Sequence, residues 1–527
     1  MKAVQMDHRW TSRQPRVAKT LGAAYERRYV ALTICVFALL VSHTLNQQWV
    51  SDVWEHGAAV RELALRPFAP RHPLLPIDAP HHSYSLYTWT LAQAVRQLGL
   101  SPIEALSIGA LINAALILAF FPLAVSALSG RRDLSFYSLL FTLLLWGPGA
   151  WRFSGFLHLN ALGFVLPFPS MFATAIAFLV IGIMPVLLKD SRPWRWILPV
   201  GALIFLVVNA HQITAGSLIV ACLAVALSLR PTPGAWLSLS GAIVVGVLVA
   251  IWWPLFPLLR LIFEGRLNID WQNRFMYLGV LLHTAPALLG LPLLLRRVRR
   301  HPLDPLGVIF GVLLMIYGAG WVTSNFTLGR VIPFLVLPLH ISLAEWVVDN
   351  EQRATAAGPV GWLGATRVRA IVAGALLVTS INIAPGMIRA VPTSMLPASV
   401  RSRIRLDKPS EMFRGLDTAL SDGDIVIAPP SIMFRIPTFG GKVIASRPHP
   451  FINYDEAALP DVERFFTIAD QATAVAILKK YGVTKIVLER APADDVSRFR
   501  CLGSTVFSNS HFEVIAVGSA QEWCAGW

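Results

Sequence analysis

From Ile197 to Leu229 the sequence runs for 33 residues without one Asp, Glu, Lys or Arg. A single helix of that length would measure roughly 50 Å at about 1.5 Å per residue, against a membrane hydrocarbon core of about 30 Å. Two helices with a tight turn at Asn209-Ala210-His211-Gln212 fit that thickness. Lys189, Arg192 and Arg195 before the stretch and Arg230 after it also favour an even number of crossings. Ten segments in all follow the first apolar run at about 29–46: 103–128, 134–149, 170–188, 196–209, 213–229, 236–258, 276–295, 304–322, 330–348 and 370–389. The chain is 55% hydrophobic and 14% charged, where soluble domains carry about 25% charged residues. That balance excludes an ordinary soluble enzyme and a disordered chain. The sequence predicts a polytopic α-helical membrane protein of about eleven spans.

The charges that remain set an orientation. Lys+Arg exceed Asp+Glu by 15, and Lys/Arg-rich loops stay cytoplasmic. Eleven crossings put the tail at 1–28, Arg131/Arg132, Lys189–Arg195, Arg230, Arg296–Arg300 and Arg353–Arg369 on one side. The loop at 48–102, the short loop at 259–275 and everything after about 390 fall on the other. The expected topology is N-in/C-out in the cell (inner) membrane, with the tail at 1–28 cytoplasmic and too long and polar for a cleaved signal peptide. Topology accounts for the basic residues, so no nucleic-acid partner is expected; membrane lipids are.

Residues 396–527 read as a small soluble extracytoplasmic α/β domain behind a transmembrane domain at 29–395. Asp424–Ala428, Lys442–Ala445, Lys485–Leu488 and Phe512–Val517 are short β-branched runs. Ala458–Phe466 and Gln471–Tyr481 have helical spacing, and Gly482 stops the second. Cys35 and Cys222 lie inside apolar runs, whereas Cys501 and Cys524 lie in this domain. An oxidising compartment would permit a Cys501–Cys524 disulfide.

Chemistry concentrates in the first outer loop, 48–102. Val53, Trp54, Ala58, Leu63 and Leu65 interleave with Glu55, His56, Arg61 and Glu62, a pattern suited to an amphipathic helix at the membrane surface. A second helix is expected over Ser83–Leu98, after a link holding His72, His81 and His82. Asp52 and Glu55 sit at the mouth of the cavity between them. A carboxylate there serves either as general base toward an acceptor or as a cap, with Ser51 or Asp52 capping and Glu55 bonding back to the first amides. The spacing of His72, His81, His82 and His211 matches no standard metal site, so no metal ligands are assigned, although dependence on a divalent cation stays open. Arg330, in "TSNFTLGRVIPFLVLPL", either grips a lipid phosphate in bidentate fashion or snorkels from a helix end. Arg152, Arg260, Arg266 and Arg274 are weaker candidates for the same task. His211, between two apolar runs, is read first as a buried hydrogen-bonded histidine.

A single span, an acidic residue just beyond it, two surface helices, many spans and an α/β tail together resemble the GT-C superfamily of membrane glycosyltransferases. "YTWTLAQAVRQLGLSPIEALSIGALINAALIL" is similar to their second surface helix and second span, and "NAHQITAGSLIVACLAVAL" to their His-containing turn. "ILKKYGVTKIVLER" and "IPTFGGKVIAS" resemble segments of their tail. The resemblance implies an inverting transferase with a polyprenyl-phosphate-linked sugar donor and a lipid, glycan or protein acceptor. It puts Asp52 in the place of the catalytic Asp, with Glu55 or His56 beside it, and Arg330 near the lipid phosphate. His56, His82, His211 and Arg152 are then further substrate contacts. The sequence departs from the family in having no Asp-x-Asp pair in the first loop and in Gln212 where Pro is usual. Two other classes fit many apolar spans: a transporter or lipid flippase, and a catalytically idle homologue serving as an assembly subunit. The absence of a visible internal repeat speaks against a transporter.

Overall fold

A computed structural model describes residues 15–49, 52–79, 81–149, 151–259, 270–356, 358–391, 395–397, 399, 408–446, 458–467, 470–490 and 497–518. Ten helices open the chain: α1 Pro15–Leu45, α2 Val53–Leu65, α3 Leu86–Leu98, α4 Pro102–Ser129, α5 Ser135–Leu144, α6 Leu159–Val165, α7 Pro169–Lys189, α8 Ile197–Ala210, α9 Gln212–Leu229 and α10 Pro233–Ile251. Among the described residues, nine helices are long and apolar enough to cross a membrane. They include Val280–Arg300, Pro305–Val322 and Phe326–Thr355. This is a multi-pass membrane protein.

The charge-free stretch at 197–229 does split. His211 alone is extended between α8 and α9, and its side chain caps α9 by accepting from Thr214 N. The run at 134–149 does not make a span. It yields only α5, ten residues long, or about 15 Å of helix. Gly147 leaves the helical path to donate its N–H to His283 O at 2.8 Å. A Cβ at Gly147 would stand 1.9 Å from Leu282 O, so only glycine allows that approach. The run at 370–389 lies in the helix Gly358–Met387.

Helices pack through small residues, as expected where lipid supplies no hydrophobic drive between them. Gly182 of α7 meets α4 so closely that a Cβ would lie 2.5 Å from Leu123 Cβ. At one end of the bundle the buried Glu351 accepts from Tyr25 Oη at 2.7 Å, Tyr137 Oη at 2.8 Å and Arg369 Nε at 2.7 Å. Those bonds join α1, α5 and the two long helices that end the bundle, and they satisfy a charge that would otherwise be costly to bury.

At the other end, α2 does not lie on a membrane surface. Its apolar residues Val53, Trp54, Ala58, Ala59, Val60 and Leu63 are buried by protein. The tail covers them: Thr438 Oγ1 donates to Trp54 O at 2.9 Å, and a Cβ at Gly57 would strike Thr438 at 2.7 Å. Lys442 Nζ reaches Glu62 Oε2 at 2.7 Å, with the Glu62 side chain 1% exposed.

The tail carries a five-stranded sheet of β1 Ile425–Ile427, β2 Lys442–Val443, β3 Lys485–Glu489, β4 Gly503–Ser508 and β5 Phe512–Val517, in the order β2-β1-β3-β5-β4. β1 pairs in parallel with β2 and β3, and β5 antiparallel with β3 and β4. β4 has no counterpart in the sequence reading because its exposed, polar-rich GSTVFS lacks a clear alternation. The helices Ala458–Thr467 and Gln471–Tyr481 match expectation, and Gly482 closes the second with φ +63°. Cys524 lies outside the described residues, as does the proposed bond to Cys501.

Glu513 on β5 is buried and accepts from Arg500, Thr505 and Arg490. Arg500 above all, then Thr505 and Arg490, hold its carboxyl near 2 against an ordinary 4.5, with burial opposing. The folded tail therefore binds fewer protons here than the unfolded chain. This stabilisation is fully present above about pH 4.5 and is lost as the pH falls toward 2. Protection factors of the β5 amides in the full-length protein, corrected for the intrinsic pH dependence of exchange, should fall across that window, and Glu513→Gln should flatten the dependence. An identical pH slope in both proteins would contradict it.

Candidate active site

The first loop and three helix ends meet at the end of the bundle that the tail covers. Asp52 is the N-cap residue of α2 and makes no side-chain capping bond. The capping role expected of it is thus not performed by its carboxylate, and Ser51 lies outside the described residues. The start of α2 still favours negative charge through the helix dipole. Asp52 instead lies within electrostatic reach of both His82 and Arg330. Two residues 278 positions apart in the sequence thereby come within range of each other's charge.

Arg330 stands on the tight helical turn Phe326–Val331, ahead of the long helix that follows. Its Nε donates to Asn273 Oδ1 at 3.2 Å, and its guanidinium lies 5.8 Å from the centre of the Phe153 ring. Asn273 is itself buried and donates to Thr327 Oγ1 at 3.1 Å. The arginine is thus aimed by protein contacts, which an end residue snorkelling into lipid would not need. Sequence reasoning missed Asn273, a polar residue outside any motif.

Glu55, one turn into α2, is the hub of a second group. Its Oε1 lies 3.1 Å from His82 Nε2, accepts from Ser83 Oγ at 3.1 Å and sits 3.7 Å from His81 Nε2. His81 and His82 stack at 4.8 Å. Burial pushes the His82 imidazole down to about 4, with Asp52 opposing and Arg330 reinforcing.

One ligand atom each of Glu55, His81 and His82 lie within 4.8 Å of one another, the spacing of a three-ligand cation site. The hydrogen bonding of His81 opposes a metal at its Nε2. His81 Nδ1 accepts from Ser83 N at 3.2 Å, so the neutral ring carries its proton on Nε2, facing Glu55. A cation would need that nitrogen's lone pair. The trio is a carboxylate–imidazole cluster that ties α2 to the link before α3. His72, the remaining histidine of the link, accepts from Leu74 N and Leu75 N and is a turn residue.

The other predicted contacts divide. His211 caps α9, lies within reach of the Arg330 charge, and its neighbour Asn209 accepts from Leu86 N to hold the start of α3. His56 packs on Phe168 at 4.8 Å; burial, with His82 adding, pushes its imidazole down to about 3. Arg152 is not beside Arg330's guanidinium but over Phe164, at 4.6 Å. Arg274 rests over Phe326 at 6.0 Å, and Arg260 and Arg266 lie outside the described residues.

No protein-family profile matches the chain, and no curated protein matches its sequence. Solved structures do resemble it. ArnT from Cupriavidus metallidurans bound to undecaprenyl phosphate superposes with a TM-score of 0.53 at 13% identity, covering 93% of this chain and 98% of that one. The apo oligosaccharyltransferase of Archaeoglobus fulgidus gives 0.50 at 12% identity, over 88% of this chain and 69% of that one. The arabinofuranosyltransferase AftD from Mycobacteria gives 0.54 at 16% identity; there 94% of this chain covers 40% of a longer protein. These likenesses run along almost the whole of this chain, and the chain has the GT-C fold.

Proposed function

We propose that this protein is an integral-membrane glycosyltransferase that moves a sugar from a polyprenyl-phosphate-linked donor to an extracytoplasmic acceptor with inversion. One observation carries the reading: the loop carboxylate Asp52 and the helix-end cation Arg330, distant in sequence, are brought within electrostatic reach of each other on a GT-C fold. ArnT, of the same fold, was solved with undecaprenyl phosphate, which supports a lipid phosphate as the leaving group.

In the proposed step Asp52 takes the proton of the acceptor hydroxyl or amine. The acceptor atom bonds to the anomeric carbon while the bond from that carbon to the phosphate oxygen breaks on the opposite face. The electron pair leaves with the polyprenyl phosphate, and Arg330 stabilises the charge that grows there. Glu55, through His81, His82 and Ser83, positions the loop that carries the base. The positive-inside distribution of arginines supports placing this end of the bundle and the tail on the periplasmic side of the inner membrane.

The test is transfer by purified protein from a panel of radiolabelled polyprenyl-phosphate sugars to a crude lipid and glycan extract, with and without a chelator. Label is expected to move to an acceptor in both conditions. Failure with every donor, while the protein stays folded, would reject the transferase reading in favour of a transporter or an idle assembly subunit.

A further inference from the structure

Two arginines beside this site have no counter-ion among the described residues. Arg152 follows α5, and Arg389 follows the helix Gly358–Met387. Both set their guanidinium over the ring of Phe164 in α6, at 4.6 and 5.4 Å from its centre. Among the described residues neither forms an ion pair. Arg152 donates to Asn160 Oδ1 at 3.2 Å, and Asn46 Nδ2 holds the Arg389 backbone carbonyl at 2.9 Å. Two other arginines of the bundle do have acidic partners: Arg131 with Asp133 and Asp349, and Arg297 with Asp304 and Glu345. Here the two positive charges act on each other unrelieved.

A third group points the same way. His43, in the last turn of α1, stands edge-on to the same Phe164 ring at 4.9 Å. It is 4% exposed, and neither of its ring nitrogens has a hydrogen-bond partner among the described residues. It lies within reach of both arginine charges. Buried polar atoms left unpaired are rare in folded proteins and costly. Ser42 Oγ, one residue earlier, donates to Ala390 O, so the end of α1 and the Arg389 segment are tied together. Arg152 is itself exposed, which leaves the group open to a ligand. Its neighbour Phe153 lies under Arg330, so this group borders the proposed active site without being part of it.

We propose that Arg152, Arg389 and His43 form a second anion subsite that takes the phosphate of a lipid head group. Two guanidiniums offer the forked donors that match phosphate oxygens. An entering anion would also remove the repulsion between them, and the His43 ring offers a polar partner at its edge. The choice of a lipid ligand rests on the transferase reading; the preference for phosphate rests on the side chains. The phosphate can come from the sugar donor or from a second phosphorylated lipid.

The experiment measures binding, not transfer, and so stands apart from the activity test. Full-length protein in phosphatidylcholine nanodiscs is titrated with undecaprenyl phosphate and with phosphatidic acid, using undecaprenol and diacylglycerol as uncharged controls. Arg152→Gln and Arg389→Gln should each weaken one phosphate lipid by about tenfold and leave the uncharged controls alone. Weakening confined to undecaprenyl phosphate assigns the subsite to the donor; weakening confined to phosphatidic acid assigns it to a second lipid. Arg152→Lys and Arg389→Lys keep the charge and lose the fork, so intermediate losses are expected of them, including where a Gln variant fails to fold. Wild-type affinity for both phosphate lipids in the folded variants would overturn the proposal.

Discussion

Asp52→Asn is expected to abolish sugar transfer while membrane insertion and thermal stability stay near those of the wild type. The amide has the size of the carboxylate but cannot take the acceptor's proton, and general-base catalysis is worth about 10²–10⁴ in rate. The fold should tolerate the change for a specific reason: Asp52 makes no side-chain capping bond to α2. What is lost is the charge at the helix start, an interaction of about 0.3–1 kcal/mol, and the attraction to Arg330. The measurement is the initial rate of label transfer beside the melting temperature of the same preparation. Transfer at the wild-type rate would remove Asp52 from the mechanism while keeping the enzyme class. Loss of transfer together with a collapsed melting temperature would mean that its role is structural.

Arg330→Gln should lower kcat/KM for the donor by about 10²–10³-fold. A charge-assisted hydrogen bond contributes about 1.5–3 kcal/mol, and a donor aimed at charge that grows in the transition state about 2.7–4 kcal/mol. The loss should appear in kcat as well as KM, because the leaving phosphate gains charge as the bond to the sugar breaks. Arg330→Lys should recover little, since an ammonium cannot reproduce the fork nor its placement between Asn273 and Phe153. A change confined to KM would make Arg330 a ground-state contact only. An unchanged kcat/KM would leave it as a helix-end residue.

Much of the architecture was written in local patterns. Apolar run length located nine spanning helices, and the absence of charge over 197–229, set against membrane thickness, located the turn at His211. Gly482 and the β-branched runs located most of the tail. The reading failed where a local pattern met a tertiary demand. The run at 134–149 is apolar enough for a span, yet Gly147 lets the backbone press against Leu282 and the helix ends early. The apolar face of α2 reads as membrane-facing from sequence, but Thr438 and Lys442 of the tail cover it.

The site divides along the same line. Asp52, Glu55, His82 and Arg330 could be named because charged and polar groups stand out against apolar sequence at the ends of predicted spans. Their partnerships could not be named. That Glu55 is held by Ser83 and His82, that Arg330 is aimed by Asn273 and lies within reach of the Asp52 charge, and that Arg389 and His43 join Arg152 around Phe164 are matters of distance in space. Hydrophobic periodicity and charge placement act along the chain, so the sequence by itself determined which segments enter the membrane and which residues remain at their ends. Electrostatic and hydrogen-bond energies depend on separation after folding. Only the packing of helices distant in sequence decided which of those residues act together.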